Sequence, residues 1–289
     1  MKILLLGSKG QVGKELQSSL SFIGKIDSPT RPILNLEDEK ALNNYLEVSK
    51  PDVIVNAAAY TAVDTAEAEQ NTAWQINARV PEHLADYAKQ NKKLLVHYST
   101  DYVYPGTGDQ PWQEDSTTAP VNHYGTSKLA GDQAIANSGC QYLIFRTSWV
   151  YSTEGHNFMK TMLKLATSKE SLSIVADQIG SPTPARLIAD ITALAVHTFK
   201  QGNFKTGIYH LAAKGETSWH GFAQAIFVEA QKRGHNLKID PKQVYPIATR
   251  DYPTPATRPL NSRMSVNKLE KALGIQMPNW QDQLKLTFR

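Results

Sequence analysis

With 289 residues, 41% of them hydrophobic and 20% charged, the chain has the composition of a globular protein that buries a sizeable core. Its 31 Lys+Arg against 27 Asp+Glu leave a formal charge of +4, and no basic tract is dense enough to read as a nucleic-acid stripe, so the expected ligand is a small molecule. One cysteine, Cys140, excludes an intramolecular disulfide, no Cys/His cluster has zinc spacing, and the apolar start halts at Gly7, too soon for a signal or membrane span; a cytoplasmic protein with no membrane partner and no metal is expected.

Taken in chain order, short apolar runs at 3–6, 25–28, 53–55, 94–97 and 142–145 alternate with helical patterns at 11–20, 38–48, 77–90 and 124–136. Unbroken runs of Val, Ile and Leu suit parallel strands covered on both faces, and strand–helix alternation suits right-handed βαβ units. Pro81 is placed in the first turn of the third helix, where its missing N–H costs little. The fold class expected is α/β, a Rossmann-type doubly wound parallel sheet with a smaller C-terminal lobe. Residues 151–289 are richer in Pro and Gly and carry helical patterns at 187–199 and 219–232. The expected division is a dinucleotide-binding domain over 1–150 and a mainly substrate-binding lobe over 151–289, with 173–175 a candidate strand for crossing back.

Gly7, Gly10 and Gly13 stand in a G-x-x-G-x-x-G run between the first strand and the first helix. Glycine suits a tight turn that backbone must share with a pyrophosphate, and the helix N-terminus beyond it attracts an anion. The same triplet elsewhere is often a plain turn; its strand–turn–helix context favours a dinucleotide. No acid follows the second strand directly, whereas Arg31 is placed to meet a 2′-phosphate, which leans the cofactor toward NADPH over NADH.

Tyr124 and Lys128 are four residues apart at the start of a helical pattern and so share one face. A nearby ammonium favours phenolate, and a phenol so tuned serves as a general acid. Tyr98-Ser99-Thr100-Asp101-Tyr102 follows the fourth strand, at the edge where open α/β sheets bind ligands. Thr100 is placed there to orient a carbonyl oxygen and Tyr124 to protonate it.

These residues resemble the extended short-chain dehydrogenase/reductases that modify nucleotide sugars, and most closely the dTDP-4-dehydrorhamnose reductase family. The resemblance is carried by residues 53–64 (VIVNAAAYTAVD), 99–106 (STDYVYPG), 145–151 (FRTSWVY) and 258–263 (RPLNSR), and runs to about Trp280. It implies reduction of the C4 ketone of dTDP-4-dehydro-L-rhamnose to dTDP-L-rhamnose, with hydride from NADPH or NADH and a nucleotide sugar as partner. It implies a catalytic group of Thr100, Tyr124 and Lys128. It places Gly10, Gln11, Val12, Asn35, Leu36, Ala59, Tyr60, Thr61 and Tyr98 on cofactor positions, with Lys128 also holding the nicotinamide ribose. Thr100, Asp101 and Trp149 fall on nucleotide-sugar positions. Asn35 stands where some relatives have Asp. Glu15 matches one glutamate of a magnesium site at a dimer interface in some relatives, but Arg186 stands where a second is expected; that argues against the site, and the chain is left as monomer or homodimer.

Plainer roles compete at several positions. Trp149 also reads as core, Asp101 as a turn cap, His97 as a satisfied interior histidine, and Arg258 and Arg263 either as a pyrophosphate clamp or as charges tying a loop down. Two other functions compete. A nucleotide-sugar epimerase or dehydratase shares the scaffold, but a dehydratase would be expected to carry Glu after Asp101, where Tyr102 stands. A regulatory subunit would have no need of Thr100, Tyr124 and Lys128 together.

Overall fold

The computed structural model describes residues 1–288. Strands β1 (Lys2–Leu6), β2 (Lys25–Asp27), β3 (Val53–Asn56), β4 (Leu94–Thr100) and β5 (Gln141–Thr147) join a last strand, Gly207–His210, in one six-stranded sheet. Its order is Gly207–His210, β5, β4, β3, β1, β2, and every pairing is parallel. The strand order reverses between β1 and β3, which opens a crevice beyond their carboxyl ends.

Alternation along each strand sends side chains to two separate cores. Ile3, Leu5, Val53, Val55, Leu94 and Val96 face helices Gln11–Leu20 and Ala185–Lys200, whereas Leu4, Leu6, Ile54, Leu95 and Ile144 face helices Glu39–Ser49 and Val80–Gln90. Burial of each such side chain is worth about 1.5–3 kcal/mol, which fixes the sheet's position between its two helical layers. Cys140 is buried beside the second core, as a small apolar residue would be.

The parallel Rossmann-type sheet matches the expectation, and helices Gln11–Leu20 and Trp219–Lys232 coincide with their expected ranges. Asp38 caps Glu39–Ser49 by accepting from the Ala41 N–H at 3.0 Å. Three expectations need correction. β4 runs three residues past His97, because Tyr98, Ser99 and Thr100 stay paired to β5, so Thr100 ends the strand instead of following it. The third helix starts earlier, as Gln70–Trp74, passes through a π turn at Gln75–Arg79, and continues as Val80–Gln90, so Pro81 stands just past the π turn and not in the helix's first turn. Leu172–Val175 does not return to the main sheet; it pairs with Val244–Ile247 in a separate two-stranded sheet. The strand that crosses back is Gly207–His210, so the second half of the chain contributes a strand to the main sheet as well as helix Ala185–Lys200 to one of its helical layers. Among the described residues, no helix is long and apolar enough to cross a membrane.

Candidate active site

The glycine turn is closed by backbone contact. Gly7 has φ +79°, and a Cβ there would lie 2.5 Å from Ala57 C and Ala58 N, the turn that follows β3. A Cβ on Gly13 would lie 2.1 Å from the Gly7 carbonyl oxygen. Gly10 is the N-cap of helix Gln11–Leu20, offers no side-chain cap, and has ordinary extended dihedrals. The first helical N–H groups therefore face the crevice without a side-chain acceptor, as a pyrophosphate requires. The adjoining cleft, about 560 Å³, is lined by Gly7, Gly10, Arg31, Asn35, Leu36, Ala59 and Tyr60, among others. Backbone that tolerates no Cβ and a bare helix terminus fit a dinucleotide.

Gln11, Val12, Gly13, Thr61 and Tyr98 lie outside that lining. Gln11 accepts from the Asn157 amide at 2.8 Å, Val12 packs on the core, and Gly13 serves helix–turn packing. The Tyr98 side chain is buried, with its hydroxyl 2.8 Å from Thr192 Oγ1; only its carbonyl faces the Lys128 side. Glu37, which the sequence reading did not single out, lines the cleft and pairs with Arg31 at 2.9 Å. It stands next to Asn35 and Leu36, one residue beyond the positions that the resemblance places on the cofactor.

Helix His123–Ser138 begins at Asn122, whose side chain accepts from the Gly125 N–H at 2.8 Å. Gly125 lets that helix press on the preceding segment, since a Cβ there would lie 2.3 Å from the Tyr102 carbonyl oxygen. The result brings Tyr124 beside Thr100, with the Tyr102 and Tyr124 rings edge to face at 5.5 Å. Thr100 caps the turn Asp101–Val103 by accepting from the Tyr102 N–H at 3.2 Å, and its hydroxyl donates to Asp101 Oδ1 at 3.0 Å. Asn77 ties this helix to the loop after β3: it accepts from the Tyr60 N–H and donates to the Tyr60 carbonyl and Ser127 Oγ.

Burial controls the electrostatics. It pushes the Tyr124 phenol well above its ordinary value, opposed by the Thr100 hydroxyl. The expected lowering by Lys128 is thus corrected: desolvation dominates, and the Lys128 ammonium is itself lowered to about 8 by burial, with Asp132 opposing. Lys128 Nζ donates to the Tyr98 carbonyl at 2.6 Å and lies 3.2 Å from His97 Nε2. Asp101 is raised to about 6 by burial, and its Oδ2 has no partner. Behind Lys128, Asp132 accepts from Ser99 Oγ at 2.9 Å and from Arg146 Nε at 3.1 Å, a buried ion pair that the sequence reading passed over.

Trp149 is half-buried and stacks on Trp219 at 3.7 Å, close enough to Gly180 that a Cβ there would meet its indole at 2.7 Å. Arg258 grips Asp64 with both terminal nitrogens, at 2.8 and 2.7 Å, and also donates to Thr254 and the Ala256 carbonyl. These bonds hold the 254–258 loop against the segment after β3, the loop tie that the sequence offered beside a pyrophosphate clamp. Arg263 likewise pairs with Glu216. The Arg186 guanidinium stands 3.9 Å from Glu15 and pairs with Asp190.

The family described as "RmlD substrate binding domain" matches residues 1–289. A dTDP-4-dehydrorhamnose reductase of Salmonella typhimurium is 45% identical over 97% of this chain and 95% of its own. The enzyme of the same name from Burkholderia thailandensis is 45% identical over 100% and 98%. The chain belongs to this family. A crystal structure of the Bacillus anthracis dTDP-4-dehydrorhamnose reductase in complex with NADP superposes with TM-score 0.91 at 34% identity, covering 99% of this chain and 98% of that one. As a member, the chain is an oxidoreductase of a kind that uses a nicotinamide cofactor.

Proposed function

We propose that the chain reduces the C4 ketone of dTDP-4-dehydro-L-rhamnose to dTDP-L-rhamnose. The observation that carries this reading is the meeting of Thr100, Tyr124 and Lys128 at the carboxyl end of β4, in a member of the family whose relatives bear that activity in their names. A bound nicotinamide supplies the hydride; the chain supplies the proton and the geometry. Tyr124 donates its phenolic proton to the carbonyl oxygen, and burial suits it to that role because the raised phenol holds its proton until charge develops on the substrate. Thr100 rotates its hydroxyl from Asp101 to the same oxygen. Lys128 holds the ribose and stands ready to restore the proton through it. One proton from solvent is consumed per turnover, which balances the alcohol formed.

In this reading residues 1–150 bind mainly the cofactor, with Gly7, Gly10, Asn35, Leu36, Ala59 and Tyr60 along it, and 151–289 mainly the sugar nucleotide, which Asp101 and Trp149 contact. Arg31 favours NADPH, while its partner Glu37 offers a carboxylate to an unphosphorylated ribose, so both cofactors are expected to serve with NADPH ahead. The test is loss of reduced-nicotinamide absorbance with enzymatically prepared dTDP-4-dehydro-L-rhamnose. Turnover to dTDP-L-rhamnose supports the proposal; folded, cofactor-binding protein without turnover removes it.

A further inference from the structure

Three fully or nearly fully buried polar residues from three elements line up behind the reducing site: Asn56 at the end of β3, His97 in β4 and Lys128 in helix His123–Ser138. Their hydrogen bonds have a direction that chemistry fixes. The Ala58 N–H donates to Asn56 Oδ1 at 3.2 Å, which orients the amide and leaves Nδ2 facing His97 Nδ1 at 3.1 Å. An amide nitrogen only donates, so Nδ1 accepts and carries no proton. Burial, reinforced by Lys128, drives the imidazolium form of His97 far below its ordinary range, so the ring is neutral and its single proton sits on Nε2. That N–H points at Lys128 Nζ, 3.2 Å away. Nitrogen accepts such a bond only as a neutral amine with a free lone pair. Nζ in turn donates to the Tyr98 carbonyl at 2.6 Å, which completes a one-way chain of donors.

We propose that Asn56 and His97 are positioning residues for Lys128: the Asn56 amide fixes the Nε2–H tautomer of His97, and the imidazole then donates to Nζ and favours the neutral amine. The inference rests on the reading of Lys128 as the group that recharges Tyr124. Its opponent is Asp132, one helical turn on from Lys128, which favours the ammonium. Asp132 is itself held by Ser99 from β4 and Arg146 from β5, so the carboxylate's pull on Lys128 is shared with a second cation. Tyr124, on the same helix, and Asp101, held by Thr100 at the end of β4, are the other titratable groups of the site. Two opposed influences on one buried amine leave it able both to take and to yield a proton near neutrality, as a group that recharges a phenol each turnover must.

The test is nitrogen NMR of the full-length protein labelled in its histidine rings, with the His97 signals assigned by their loss in His97→Gln. The expected spectrum at pH 9, above the value of about 8 to which burial lowers Lys128 and where the amine prevails, shows an unprotonated Nδ1 and a protonated Nε2. An Nδ1–H tautomer overturns the proposal, whatever the activity. Asn56→Asp keeps an acceptor for the Ala58 N–H but turns a donor into a second acceptor, and is expected to flip the ring to Nδ1–H. Nε2 then accepts from Lys128, and the Lys128 limb of the kcat/KM pH profile moves up by about one unit, a tenfold change in its protonation equilibrium. A retained Nε2–H tautomer in that variant, or a flipped one with no shift of the limb, overturns the proposal. Should Asn56→Asp not fold, the wild-type spectrum alone decides. An inactive wild type with the expected tautomer would remove the reductase reading and leave the network standing.

Discussion

Two glycines of one turn are expected to fail in different ways when a methyl group is added. Gly13→Ala places its Cβ 2.1 Å from the Gly7 carbonyl oxygen, 2.8 Å from Gly7 C and 2.9 Å from Ser8 Cα. All three are backbone atoms, and Gly13 is buried between helix and turn, so neither side yields by a rotamer change. Helix Gln11–Leu20 must shift, and that helix packs Leu16 and Leu20 into the core. Overpacking of this kind costs about 1–3 kcal/mol, which for a chain this long lowers Tm by roughly 2–10 °C. Gly10→Ala is the contrast. Its φ is −73°, its added Cβ meets only the Gly7 carbonyl oxygen at 3.3 Å, and the residue is exposed, so stability should change by about 0.5 kcal/mol or less. The same methyl stands where a pyrophosphate must approach backbone, and the dissociation constant for NADPH should rise about tenfold or more. Calorimetry of the unligated variants, with titration of NADPH into each, separates the two effects. A Gly13→Ala protein as stable as the parent, or a Gly10→Ala protein with parental affinity, would refute the reasoning.

Acid should destabilise the protein earlier than carboxylate titration explains. His97 is held well below 6.5, and His210 is lowered to about 3, chiefly by burial. Their depressed folded values mean that stability is full above 6.5 and is lost as pH falls from there, by about 1.4 kcal/mol per pH unit for each histidine. Asp101, raised to about 6, and Asp132, also raised by burial, act in the opposite sense as pH falls through their folded values and offset part of this loss there. Urea midpoints at pH 7 and pH 5 check this, and a midpoint that is unchanged or higher at pH 5 contradicts it. Glu37→Gln should raise the ratio of kcat/KM for NADPH over NADH several-fold, by freeing Arg31 and removing a ribose acceptor; an unaltered ratio excludes the pair from cofactor choice. For Arg258 and Asp64, partly exposed, a double-mutant cycle with alanine should give a coupling of about 0.5–1 kcal/mol, and zero coupling would contradict the loop tie.

What was legible in the sequence was what is local. The Gly7–Gly13 turn, β1 and helix Gln11–Leu20 form one contiguous stretch whose periodicity and glycine spacing need no distant partner. Helical spacing alone places Tyr124 and Lys128 on a common face, and Thr100 was placed near the sheet edge because it follows the apolar run 94–97, although the strand in fact runs on to it. What was not legible depends on partners far along the chain. An apolar run such as Leu172–Val175 does not say which strand it pairs with, and its partner begins at Val244, while Gly207–His210 fills the sheet edge beside β5. Asp132 reads as a solvated helix position until Arg146 of β5 and Ser99 of β4 close around it. Glu37 escaped because it stands ten residues past Asp27, the end of β2, beyond where an acid directly after that strand is looked for. His97 was read as a satisfied interior residue, which it is; that its partners also impose a direction on Lys128 needed the geometry of the Asn56 amide.

The most direct test of the central claim is turnover of dTDP-4-dehydro-L-rhamnose by Tyr124→Phe, with NADPH affinity measured on the same preparation. The substitution removes one hydroxyl and keeps the ring against Tyr102. The account expects kcat to fall by about 10²- to 10⁴-fold, the usual worth of a positioned acid, with NADPH affinity nearly intact. Near-parental turnover would contradict it, since Tyr124 would then not be the proton donor.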